Sequence, residues 1–78
     1  MTLTKNQKEL LHLMYSIILD TTISATEKVL FVKTKSDIEF GRSFDQELKA
    51  LLNELTFIPN SSKIVEFKEE VRKRALII

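Results

Sequence analysis

A chain of 78 residues holds one hydrophobic core and no more, because separate domains usually run to roughly 100 residues each. Its apolar content of 44% and charged content of 29% are those of a chain that folds, and twelve Lys and Arg against eleven Asp and Glu leave a net +1, which supplies no long-range field for nucleic acid or anionic lipid. The absence of cysteine excludes disulfides, thiol catalysis and cysteine zinc sites, fits a reducing compartment, and leaves side-chain packing to carry a stability of only about 3–5 kcal/mol.

One glycine and one proline are too few for a many-turned β protein, so element boundaries must come from capping residues. Thr4 with Gln7 opens a first helix over residues 5–20 through a capping box, in which the hydroxyl and the residue three later satisfy free backbone N–H groups reciprocally. Leu10, Leu11, Leu13, Met14, Ile17 and Ile18 form its apolar face, with Lys8, Glu9, His12 and Ser16 opposite. His12 is therefore expected in solvent, without a ligand or nucleophile spaced to work with it. The near-apolar run Leu10 to Leu19 is interrupted by His12 and Ser16 and falls short of the roughly 20 residues that span a bilayer. The polar start and the lack of a small-residue cleavage site argue against a secretory signal, and the expected location is cytoplasmic.

Ser24 with Glu27 opens a second helix over residues 25–40, closed by Gly41, a residue suited to the left-handed position after a helix. This helix carries two apolar stripes: Leu30, Phe31, Thr34 and Ile38 on one side, and Ala25, Val29, Val32, Ser36 and Phe40 on the other. The expectation is a thin bundle that wraps both edges of the helix; the alternative is that one stripe meets a partner. Ser43 with Gln46 opens the third helix, residues 44–57, whose Phe44, Leu48, Leu51, Leu52 and Leu55 have the cleanest helical period in the chain. Ile58-Pro59 breaks it, since a residue before proline avoids the α region. Ser61 or Ser62 then opens a fourth helix over residues 63–76, with Ile64, Phe67, Val71, Ala75 and Ile78 inward and Glu66, Glu70 and Lys73 outward. Short connections make successive helices antiparallel neighbours, so the predicted fold is an all-α, antiparallel four-helix bundle forming a single domain over residues 1–78. A three-helix domain with a loosely docked second helix is the structural alternative.

Chemistry is harder to find. One glycine allows no phosphate loop, and there is no H-E-x-x-H pattern. The acidic pairs Glu47 with Glu54, and Glu66 with Glu69 and Glu70, are placed on exposed faces beside lysines, where carboxylates keep a helix solvated. Glu9 and His12 have an i, i+3 offset but lie on the polar side, so neither a metal nor a catalytic site is expected, and no cofactor. Arg72, Lys73 and Arg74 are the one concentrated basic run, and Leu76, Ile77 and Ile78 follow it pointing in different directions. These six are the candidate partner-binding residues, because a basic and apolar tip can dock on a membrane protein or in a groove. The bland reading is a cation cluster suited to a helix C-terminus.

Read together, Glu9-Leu-Leu-His-Leu-Met-Tyr-Ser-Ile-Ile-Leu-Asp20, the cap Ile23-Ser-Ala-Thr-Glu27, Ile38-Glu-Phe-Gly41, the entry Phe44-Asp-Gln-Glu-Leu48 and Val65-Glu-Phe67 resemble the enterocin A immunity family, small immunity proteins of pediocin-like and related class II bacteriocins. The resemblance extends from about residue 9 to residue 74 and rests on the succession of pieces, each of which is generic alone. It implies an antiparallel four-helix bundle in the cytoplasm of a Gram-positive producer, free or associated with the inner face of its membrane. There it protects that cell from its own pore-forming peptide by binding, without chemistry. The implied partner is the mannose phosphotransferase permease, the peptide's membrane receptor, with bacteriocin bound. The C-terminal half, here helices three and four, is implied to help set which bacteriocin is resisted. Many relatives have a longer C-terminal tail where this chain stops at Ile78, and begin the last helix with Ser-Pro where it has Ser61-Ser62. The competing class is a non-enzymatic helical adaptor or small regulator, homodimeric through the spare stripe of the second helix. A stable dimer would favour the adaptor and a protective monomer would favour immunity, and a monomer is the expectation. A DNA-binding regulator stands third, because the charge is near neutral and no basic recognition helix is present.

Overall fold

The computed structural model describes residues 3–74, which form four α-helices and no strand among the described residues: α1 Lys5–Ile18, α2 Ala25–Glu39, α3 Phe44–Leu55 and α4 Ser62–Lys73. Four of the boundaries differ by one or two residues from the sequence expectation, α2 ending at Glu39 with Phe40 as its C-cap. The α1 helix stops at Ile18 rather than residue 20 because the Asp20 carboxylate accepts the Thr22 N–H at 2.7 Å and the Thr22 hydroxyl at 2.5 Å, a side-chain turn that competes with helix continuation. The α3 helix stops at Leu55 rather than residue 57. There the Thr56 hydroxyl donates to the Asn53 carbonyl, and the Asn60 amide takes the Leu55 and Ile58 carbonyls at 3.0 and 3.1 Å. The α4 helix starts at Ser62 with Ser61 as its N-cap and ends at Lys73 with Arg74 as its C-cap, short of the expected residue 76, while Ala75 and Ile78, expected in the core stripe, lie outside the described residues.

Two of the three proposed capping boxes are complete. At Thr4/Gln7 and Ser24/Glu27 hydroxyl and N3 side chain bond reciprocally to backbone N–H groups. At Ser43 only the hydroxyl half is formed, accepting from the Gln46 N–H at 3.5 Å. After α2, Gly41 has φ +104°, its N–H bonded to the Ile38 carbonyl at 3.0 Å while Arg42 N–H reaches Asp37 at 3.1 Å. This pair of bonds is the Schellman closure, and it needs a residue that tolerates positive φ.

A single core joins the helices. Leu10, Met14 and Ile17 enter it from α1, Phe31 and Ile38 from α2, Phe44, Leu48, Leu51 and Leu55 from α3, and Ile64, Phe67 and Val71 from α4. At its centre the rings of Phe31 and Phe67 meet edge to face with centroids 5.0 Å apart. Ile23, in the α1–α2 connection, is buried with them. A radius of gyration of 11.5 Å is about that of a fully packed chain of this length. Close backbone approach pairs α1 with α2, α2 with α3 and α1 with α4, whereas α3 and α4 stand further apart.

The core takes only one stripe of α2. Phe31, Thr34 and Ile38 are buried and Leu30 half-buried, but Val29 is 64% exposed, Val32 42% and Phe40 92%. The expectation that the other helices wrap both edges of α2 is therefore corrected: the second stripe points directly away from the core, where no other helix can reach it. The surface carboxylates are also less uniform than expected. Glu47 and Glu70 are half-buried, and Glu70 accepts a hydrogen bond from Arg74.

Candidate partner-binding site

The basic run at the end of α4 divides into two kinds of cation. Arg72 and Lys73 occupy the last turn and are exposed, where positive charge suits the helix C-terminus. Arg74, the C-cap, is turned back: its Nε donates to Glu70 at 3.0 Å, and its Nη1 donates to Glu9 at 2.6 Å and to Asn6 at 3.1 Å. The Glu9 hydrogen bond, with Glu70 beside it, raises the guanidinium pKa further. Arg74 thus ties the end of α4 to the start of α1, and Glu9, once weighed as a metal ligand with His12, is its partner. Leu76, Ile77 and Ile78 lie outside the described residues.

The wider spacing of α3 and α4 leaves an open groove of about 280 Å³ between them, lined by Leu52, Thr56, Lys68, Val71 and Arg72. Its floor is apolar and its rim carries two cations. Lys68 is held by a hydrogen bond to the Asn60 side-chain oxygen, and Asn60 is itself fixed by the end of α3. Arg72 is exposed at the same rim, with Lys73 beside it in sequence. Such a groove can take an extended or helical segment that presents apolar side chains together with a carboxylate or another anion. Of the sequence candidates the structure brings Arg72 to this groove. Lys68 and Thr56 were missed, and Leu52, assigned to the core, packs against it while its half-exposed side lines the groove. No sequence signal marked Lys68, because a lysine near the middle of an amphipathic helix reads as solvation.

Glu27 was legible only as a cap, yet it is the one buried charged group among the described residues. Its Oε1 accepts the Ser24 N–H at 2.8 Å, closing the capping box of α2. Its Oε2 accepts the Ser61 N–H at 2.9 Å, and the Ser61 hydroxyl at 3.4 Å, at the start of α4. One carboxylate therefore caps two helices. The clue in the sequence is that the α4 N-cap, Ser61, has Ile64 at the N3 position, so α4 cannot complete a box of its own. Burial pushes the Glu27 carboxyl up, but the amide and hydroxyl donors of Ser24 and Ser61 outweigh it and hold it below the usual glutamate value.

His12 is exposed on α1, in a shallow groove shared with Lys8, Tyr15 and Lys35. Among the described residues no group of three or more His, Cys, Asp or Glu side chains is arranged to hold a metal ion, and no helix is long and apolar enough to cross a membrane. Comparison of the chain with family models, with curated proteins and with solved structures finds no match.

Proposed function

We propose that the chain is a bacteriocin immunity protein. It acts without catalysis in the cytoplasm of a Gram-positive producer, binding the membrane receptor occupied by a class II peptide through its C-terminal half. The observation that carries this reading is the groove between α3 and α4, apolar at Leu52 and Val71 and cationic at Lys68 and Arg72, in the half of the chain to which the sequence resemblance assigns recognition. The reading takes the four helices as an antiparallel bundle. Two contacts support that arrangement: Glu27 draws together the starts of α2 and α4, and Arg74 draws the end of α4 to the start of α1.

The test is expression in a bacteriocin-sensitive strain challenged with a panel of class II peptides. Protection against at least one peptide is expected. Thr56→Trp, at an exposed position on the groove wall, is expected to abolish protection by filling the groove while leaving the helical circular dichroism unchanged. A folded Thr56→Trp variant that protects as well as the parent would exclude the groove, and failure against every peptide would exclude immunity.

A further inference from the structure

The outer stripe of α2 is an exposed apolar face that the α3–α4 groove does not explain. Val29, Val32 and Phe40 project from it around Ser36, and charges flank it on both sides. Helical spacing puts Lys28 and Glu39 along one flank and Lys33 and Asp37 along the other. We propose that a second copy of this chain covers the stripe, the two α2 helices lying antiparallel about a twofold axis level with residue 34.

The charge pattern selects both the occupant and the direction. In an antiparallel pair like flanks face each other. About that axis Val32 sits over Ser36 of the second copy, Val29 meets Phe40, Lys28 comes within one residue of Glu39, and Lys33 comes within two of Asp37. Lys28 of each copy then finds Glu39 of the other within lysine reach, while Lys33, which stands within two residues of both Lys33 and Asp37 of the second copy, is neutralised by its own Asp37 at 3.3 Å. Lys28 forms no ion pair of its own among the described residues, so it is available for this contact. A parallel pair would instead set Lys28 against Lys33, a like-charge contact. Lys35, whose own copy would approach it near the axis, is withdrawn: its ammonium bonds Glu39 at 2.9 Å, lies 5.0 Å from the Tyr15 ring centre, and its side chain is only 19% exposed. The small Ser36 lets the backbones approach at the middle of the contact. A stripe on one helix of 15 residues, about 22 Å long, puts the interface at or below the low end of the roughly 1,200–2,000 Å² typical of stable complexes. The dimer is accordingly weak and reversible. It is not the stable dimer that would favour an adaptor, and it leaves the α3–α4 groove of the proposed function open.

Sedimentation equilibrium over protein concentrations from about 10 µM to about 1 mM, the range in which weak association is read, tests the proposal. The parent mass should rise from 9.1 kDa toward twice that value, and Val32→Lys should hold it at 9.1 kDa throughout with unchanged helicity. Lys28→Glu and Glu39→Lys should each weaken association at least tenfold, and the double variant should restore it. The chain has no cysteine, so an equimolar mixture of Val32→Cys and Ser36→Cys chains should oxidise to the mixed dimer. A parent that stays monomeric at the highest concentration, association that survives Val32→Lys, or a charge reversal that fails to restore it would overturn the proposal. A monomer that instead binds vesicles of anionic lipid through this stripe, and loses them on Val32→Lys, would assign the surface to a membrane and overturn it as well.

Discussion

Glu27 keeps a charge inside the core because donors from two helix starts already occupy both of its oxygens. Removing the carboxylate orphans the Ser24 and Ser61 amides, and an unsatisfied amide costs about 1–3 kcal/mol, so Glu27→Ala should cost roughly 2–4 kcal/mol. That approaches the whole stability of so small a domain. The carboxyl's folded pKa lies below its ordinary value of 4.5, which fixes the direction of the pH effect. Its contribution is complete above pH 4.5 and is lost as the pH falls below that through the folded pKa. Asp20 is also held low, by hydrogen bonds from the Thr22 hydroxyl and amide, and adds to the same acid loss. Urea unfolding at pH 7 and pH 3 should therefore show a smaller pH difference for Glu27→Gln than for the parent. Equal differences would mean that Glu27 is not ionised in the fold.

At the level of the element, α3 is the simplest case, since its apolar positions, period and burial all agree. Leu51 lies mid-helix at 2% exposure, and Leu51→Ala should cost about 2–5 kcal/mol from lost transfer energy plus the cavity left behind, read as a lower thermal midpoint. An unchanged midpoint would mean that α3 does not face the core. The starts of α1, α2 and α3 were legible because Thr4, Ser24 and Ser43 stand where hydroxyl caps belong, and the end of α2 because Gly41 has no competitor for a left-handed position; the start of α4 was left open between Ser61 and Ser62, since the Ser61 hydroxyl caps nothing on its own helix. The ends of α1 and α3 were less so. They are set by the Asp20 and Asn60 side chains, whose reach to a particular backbone group depends on the folded path. The inward stripe of α2 was undecidable from periodicity, because its two faces are about equally apolar and only the positions of α1 and α3 break the tie. The groove was illegible for a related reason: the separation of α3 from α4 is a property of packing, and Leu52 carries no mark that distinguishes a groove wall from a core.

For the whole molecule, the α4 end must be separated into what holds the fold and what can meet a partner. Arg74 bonds Glu70 on its own helix and Glu9 and Asn6 on α1, so it closes the seam between the last helix and the first. Arg72 and Lys73 point to solvent, Arg72 on the rim of the α3–α4 groove. Replacing all three with glutamine would mix the two effects, and the informative comparison is Arg74→Gln against Arg72→Gln with Lys73→Gln. Arg74→Gln should lower the thermal midpoint, because Glu9 and Glu70 lose their shared partner at the seam. The double variant should melt like the parent, since exposed cations at a helix end contribute little to stability. If the groove receives the receptor complex, that double variant loses protection against the cognate peptide while its midpoint is unchanged. If it protects fully, and only Arg74→Gln fails in parallel with its lower midpoint, the basic run acts through the fold and the groove rim is not the contact surface.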